Sequence, residues 1–280
     1  MKTFSGTMTA LITPFFNGEV DFDSLEKLVA NQIKRKVSGF VISGTTGESP
    51  TLTSLEKFKI YDFIRAKVPK NFPLILGVGG NSTARSIEEA KEAEKMGADA
   101  VLSIVPYYNK PPQRGLFEHF KEIASAIHVP CILYNVPSRT ITSLELQTIK
   151  RLSEHPNIIG IKEASGNIEF AKQIRKECGE SFILLSGDDA SYDQFMEAGG
   201  NGAISVASHL IPEAFAQRNV SDFKNLVNYL FIEANPIPLK MALYLQQIIR
   251  SPELRLPLVK LGEAHTNTLK ILLMEKGLLS

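Results

Sequence analysis

The stretch Ile158-Ile-Gly-Ile-Lys-Glu-Ala-Ser-Gly166 reads as a short buried strand that runs into a polar loop. Residues 158–162 are rich in β-branched side chains, and nothing polar occurs before Lys162. A lysine at the end of such a strand has two readings. Burial disfavours the ammonium form and favours the free amine, which is what a Schiff-base nucleophile requires. The same side chain can instead lie along the apolar surface with its amine in water.

Outward from this strand, the chain alternates apolar runs with amphipathic stretches. Strands are expected over 8–13, 39–43, 74–77, 100–104, 131–134, 158–162, 182–186 and 203–206. Between them, helical stripes span 83–96, 115–126, 168–178 and 191–198, and capping boxes are expected at Asp23, Thr53 and Thr142. Successive strand ends fall 19 to 35 residues apart, the spacing of parallel βα units. Six such strands would suit a doubly wound sheet. Eight predict a closed (β/α)8 barrel, a TIM barrel in the α/β class, over residues 1–220. Residues 221–280 hold only helical stripes, broken by Asn235-Pro-Ile-Pro238 and by Arg255-Leu-Pro257, and form a small C-terminal α-helical extension.

The 280 residues are 44% hydrophobic with a formal net charge of +1, so no basic surface points to nucleic acid. No apolar run approaches a membrane span, and Met1-Lys2-Thr3-Phe4-Ser5-Gly6 does not lead into a signal-peptide core. The two cysteines, Cys131 and Cys178, read as buried thiols of a cytoplasmic protein. The five histidines (His119, His128, His155, His209, His265) show no close ligand spacing, so no metal is expected.

In a (β/α)8 barrel the reactive groups stand at the C-terminal strand ends. That rule selects Gly44-Thr45-Thr46-Gly47, Val105-Pro-Tyr107-Tyr108-Asn109, Tyr134-Asn-Val-Pro-Ser-Arg139, Lys162, Gly187-Asp188-Asp189 and Ile204-Ser205. The set holds one lysine, several hydroxyls and one arginine, but no cluster of carboxylates and no histidine, so hydrolysis by paired carboxylates is poorly supplied. Imine formation with a keto acid is well supplied: the lysine attacks a ketone, hydroxyls move protons, and an arginine or glycine-flanked amides hold a carboxylate. Each element also has a plainer reading. Gly44–Gly47 serves equally as a turn or as a phosphate cradle, Tyr134 as a core aromatic, Arg139 as a surface ion pair, and Asp188-Asp189 as a helix cap.

Gly44-Thr-Thr-Gly-Glu-Ser49, Pro106-Tyr-Tyr-Asn-Lys110, Tyr134-Asn-Val-Pro-Ser-Arg-Thr140, Gly160-Ile-Lys-Glu-Ala-Ser165 and Asn235-Pro-Ile-Pro238 together resemble the dihydrodipicolinate synthase family. That family belongs to a lyase superfamily that also contains N-acetylneuraminate lyase. The likeness covers essentially the whole chain in order. It implies a cytoplasmic lyase of lysine and diaminopimelate biosynthesis that condenses pyruvate with L-aspartate 4-semialdehyde and needs no cofactor beyond the imine of pyruvate on Lys162. Tyr134 then resembles the central acid/base, with Thr45 linking it to Tyr108 as a proton relay. Thr46, with Thr45, resembles the group that holds the pyruvate carboxylate, and Arg139 the cation that receives the semialdehyde. Gly187 and Ile204 resemble backbone positions near the lysine. Tyr107 resembles the tyrosine that crosses a subunit interface, within a homotetramer built as a dimer of dimers.

Arg139 and the form Gly44-Thr-Thr-Gly favour the synthase over the sialic-acid lyases. Another pyruvate-dependent aldolase, or an anion-binding barrel without activity, are the remaining alternatives. Two departures stand out. Arg85, Ser54 and Lys57 replace the glutamate and histidines with which feedback-inhibited members bind lysine, so weak or absent lysine inhibition is expected. The chain is also shorter than usual between Ile204 and Asn235, by about one helical segment.

Overall fold

The computed structural model describes residues 3–279; Met1, Lys2 and Ser280, which open and close the expected segments, lie outside the described residues. Eight parallel strands close into a barrel. They are β1 (Gly6–Ala10), β2 (Gly39–Ile42), β3 (Leu74–Val78), β4 (Ala100–Ile104), β5 (Cys131–Asn135), β6 (Ile158–Glu163), β7 (Ile183–Ser186) and β8 (Gly202–Ser205). The ring shuts where β1 meets β8, with Gly6 beside Gly202 and Met8 beside Ile204. That closure is glycine-dependent, since a Cβ on Gly202 would lie 2.1 Å from the Gly6 carbonyl oxygen.

Strand alternation sorts the apolar side chains into two cores. Met8, Val41, Ile75, Leu102, Ile132, Tyr134, Leu185 and Ile204 fill the barrel. A larger cluster joins the outer strand faces to the helices, which bring Leu25, Ile64, Phe120, Ile149 and Ile174. The helices are α1 (Phe22–Lys34), α2 (Ser54–Lys67), α3 (Thr83–Lys95), α4 (Gln113–Ser125), α5 (Leu146–Ser153), α6 (Ile168–Cys178), α7 (Tyr192–Glu197) and α8 (Pro212–Gln217). Beyond them come α9 (Lys224–Tyr229), α10 (Ile237–Leu245) and α11 (Glu263–Glu275). No described helix is long and apolar enough to cross a membrane.

The capping box at Thr53 and Glu56 is formed as expected. The other two are not. The cap of α1 is Asp21, whose carboxylate accepts from the Ser24 N–H and is held by Arg250, so Asp23 stands inside the helix. Near Thr142, Asn135 Oδ1 accepts from the Leu144 N–H at 3.0 Å, and Gln113 Oε1 from the Glu145 N–H at 3.1 Å. These side chains hold 142–145 out of helix, and α5 begins only at Leu146. A hairpin of two-residue strands, Phe15–Phe16 and Glu19–Val20, was too short to show any periodicity. Cys131 is buried, but Cys178 is only partly so.

The segment between Ile204 and Asn235 holds α8, α9 and two short 3-10 helices. Helix α8 has 6 residues, against 13 in each of α1, α3 and α4, and ends at Arg218 in a left-handed conformation (φ 57°). The expected boundary after residue 220 falls inside a one-turn 3-10 helix, Val220–Phe223. From there the extension folds back onto the catalytic end of the barrel.

Candidate active site

A cavity of about 640 Å³ opens at the C-terminal strand ends, lined by Thr45, Thr46, Tyr107, Tyr134, Arg139, Lys162 and Gly187 among others. Lys162 is 7% exposed, and its Nζ lies 4.3 Å from the centroid of the Tyr134 ring. It forms no ion pair among the described residues. Period-two alternation explains its aim: Lys162 and Ala164 face the cavity, while Glu163 points behind the strand. There Glu163 accepts from Asn135 Nδ2 at 2.7 Å and from the Ser165 N–H at 2.6 Å, and burial pushes its carboxyl up. Asn135 also pins Leu144, so one buried pair braces the ends of β5 and β6.

Gly187 is required by the lysine itself. A Cβ there would stand 2.7 Å from Lys162 Cε, 3.0 Å from its Cγ and 2.6 Å from Ala164 Cβ. Beyond Gly187 the two aspartates divide their work. Asp188 Oδ2 accepts from the Ser191 N–H just ahead of α7, whereas buried Asp189 accepts from the Val206 and Ala207 N–H groups at 3.0 and 2.7 Å, tying β7 to the end of β8. Burial drives the Asp189 carboxyl up to about 6. Ile204 is 1% exposed and packs in the barrel interior without lining the cavity.

Thr45 and Thr46 occupy a tight turn after β2, in which the Gly47 N–H donates to Gly44 O and the Glu48 N–H to Thr45 O, both at 3.1 Å. The Thr46 hydroxyl oxygen accepts from Asn235 Nδ2 at 2.9 Å. Arg139, in a one-turn helix at Pro137–Thr140, reaches the Asn235 carbonyl at 3.5 Å. Asn235 therefore touches both the expected carboxylate-binding turn and the expected cation. It was not among the expected site residues, although the Asn-Pro-Ile-Pro run that contains it was recognised.

Tyr108 was expected in the proton relay and Tyr107 across a subunit interface. In the structure Tyr107 lines this chain's cavity, while Tyr108 does not and is 88% exposed. The cause is local. Tyr108 has φ 71°, which turns its side chain outward, and Asn109 fastens the loop by donating to Asn81 O. No hydrogen bond links Thr45, Tyr134 and Tyr108 among the described residues, so the relay is not assembled within one chain. Nor does any group of three or more His, Cys, Asp or Glu residues converge there with metal-binding geometry.

Comparison with known proteins agrees with this geometry. The model of the dihydrodipicolinate synthetase family matches residues 3–276. The chain is 52% identical to the 4-hydroxy-tetrahydrodipicolinate synthase of Bdellovibrio bacteriovorus, over 100% of both chains. Among solved structures, it is similar to the chloride-inhibited dihydrodipicolinate synthase of Acinetobacter baumannii complexed with pyruvate (TM-score 0.95, 39% identity, 99% of this chain and 100% of that one). It is also similar to a monomeric dihydrodipicolinate synthase variant (TM-score 0.94, 38% identity, 99% and 98%). A full-length match, on a barrel whose cavity is built from the same motifs, leaves one assignment: this chain belongs to the dihydrodipicolinate synthetase family.

Proposed function

We propose that this chain has the activity for which its full-length relatives are named, 4-hydroxy-tetrahydrodipicolinate synthesis, by condensation of pyruvate with L-aspartate 4-semialdehyde. The observation that carries the proposal is Lys162: a nearly buried amine at the end of β6, without a carboxylate partner, facing a cavity edged by hydroxyls and an arginine.

Lys162 Nζ adds to the keto carbon of pyruvate, and loss of water leaves an imine. A proton lost from the methyl carbon gives the enamine, whose carbon attacks the aldehyde carbon of the semialdehyde. The amine of the condensed product then adds to the imine carbon and displaces Lys162 as the ring closes. The imine is its own electron sink, so these steps draw on no cofactor. Tyr134, over whose ring the amine lies, moves the protons, with Thr45 beside it. Thr45 and Thr46 hold the pyruvate carboxylate, and Arg139 receives that of the semialdehyde. Gly187 clears the path of the lysine stem.

We further propose that Tyr108 completes the relay in a second copy of the chain. Its support is surface. Tyr108 and Ile141, on the loops after β4 and β5, are 88% and 74% exposed. Sedimentation velocity distinguishes the monomer from the dimer this requires and from the expected tetramer. The free thiols Cys131 and Cys178 support the expected cytoplasmic location.

Borohydride reduction in the presence of pyruvate tests the mechanism. A stable adduct on Lys162, absent in Lys162→Ala, is the expected result. No adduct at saturating pyruvate sinks the imine.

A further inference from the structure

Glu48 and Lys240 form an ion pair in the interior, with Oε1 and Nζ 2.5 Å apart and both side chains 0% exposed. Burying two opposite charges is costly, and well-packed apolar residues often serve stability as well or better. The placement of this pair therefore asks for a role beyond holding the fold together.

Glu48 ends the turn that carries Thr45 and Thr46, and the backbone on both sides of that turn is left-handed, with φ 54° at Ser43 and 55° at Glu48. Residues other than glycine stay in that conformation only when their surroundings enforce it. The enforcing contacts come from the C-terminal extension. Lys240, in α10, holds Glu48 Oε1, donates to the Glu253 carbonyl at 2.8 Å and lies 4.2 Å over the Phe15 ring. The Arg255 N–H donates to Glu48 Oε2 at 3.0 Å, and its guanidinium donates to Thr51 O at 2.9 Å and to the Glu56 carboxylate. Five residues before Lys240, Asn235 donates to Thr46. The turn is thus gripped at Thr46 and at Glu48 by residues 235–255 of the extension.

We propose that Lys240 is a positioning residue: through Glu48 it sets the turn so that the Thr45 and Thr46 hydroxyls meet the substrate carboxylate, which makes the extension part of the active site. This rests on the imine reading above.

The test compares wild type, Lys240→Met, Glu48→Gln and the double variant Glu48→Gln/Lys240→Met, each well below its own Tm. In either single variant, KM for pyruvate should rise about tenfold and borohydride trapping on Lys162 should slow by a similar factor, while KM for the semialdehyde changes less than about twofold. Glu48→Gln keeps the side-chain shape, so it carries the test if Lys240→Met does not fold. The double variant leaves no unpaired charge, so its Tm should recover towards wild type while trapping stays slow. A merely structural pair predicts otherwise: trapping at the wild-type rate in the folded variants, or a double variant that regains Tm and trapping together, overturns the proposal. Wild type that forms no adduct refutes the imine reading instead, whatever the variants do.

Discussion

Among the described residues two lysines are buried, and they differ in what surrounds the amine. Each stands against an aromatic ring, Lys162 over Tyr134 at 4.3 Å and Lys240 over Phe15 at 4.2 Å. Lys240 is enclosed and has an anion, Glu48, and a carbonyl acceptor, Glu253 O. Burial draws it down to about 8, with the coulombic pull of Glu48 acting against that shift. Lys162 has no such partners among the described residues and opens on a cavity. A buried amine whose partners are already made acts only through the groups it holds. One left facing free space can add to a carbonyl.

Exchanging the roles in a thought experiment gives the largest expected effects. Lys162→Ala should cut turnover by about 10⁴-fold or more, with Tm within about 3 °C of wild type, because no ion pair is lost. Lys240→Ala should add a loss of stability of about 3–5 kcal/mol to the slowed trapping expected of Lys240→Met, by leaving the Glu48 carboxylate buried without its partner. Calorimetry beside steady-state kinetics reads both, and a large Tm loss in Lys162→Ala would break the distinction.

Next comes the space that Lys162 needs. Gly187→Ala should slow trapping by about 10²-fold with the fold intact, since the new methyl meets the lysine stem. Arg139→Ala follows: KM for the semialdehyde should rise about tenfold or more and KM for pyruvate by less than about twofold. Equal effects on both would show that Arg139 has been given the wrong role.

A third buried base sharpens the contrast. His209 is 0% exposed; its Nε2 accepts from the Ile12 N–H, so Nδ1 carries the proton shared with Val206 O. Burial lowers it to about 4, and His119 likewise. Between about pH 4 and 6.5 the unfolded chain binds protons that the folded one refuses. The stability these groups supply is therefore full above about 6.5 and fades as pH falls, by about 3 kcal/mol for each. Melting at pH 7 and pH 5 checks it, and His209→Gln should flatten the slope. The smallest effect is expected from free lysine. With Lys57 lining the cavity and Arg85 exposed on α3, half-inhibition should not be reached below about 1 mM.

Much of the fold was legible in the sequence because periodicity is a local property. β4 and α6 fall on the expected residues, and every barrel strand lies within a few residues of its expected place. The misses have distant causes. The cap expected at Thr142 was overridden by Asn135 and Gln113, side chains on other elements. In the site, Lys162, Tyr134, Thr45, Thr46, Arg139, Gly187 and Tyr107 do come together. Tyr107 and Tyr108 could not be told apart in advance, because a single backbone angle decides which of two adjacent rings faces inward. Asn235 was missed because its contacts, Thr46 and Arg139, are 189 and 96 residues away.

The two lysines also mark where sequence reading stops. Lys162 was noticed as a lone cation at the end of an apolar run, and Lys240, within Ile237-Pro-Leu-Lys-Met-Ala-Leu-Tyr-Leu245, has the same signature. Sequence alone determined that the apolar neighbours of both lysines would be buried. Tertiary structure alone decided which would be paired. Barrel closure placed Lys162 at an open end facing a cavity, while the returning extension carried Lys240 onto a carboxylate 192 positions earlier in the chain. Charge pairing depends on distance in space, and no local pattern encodes it.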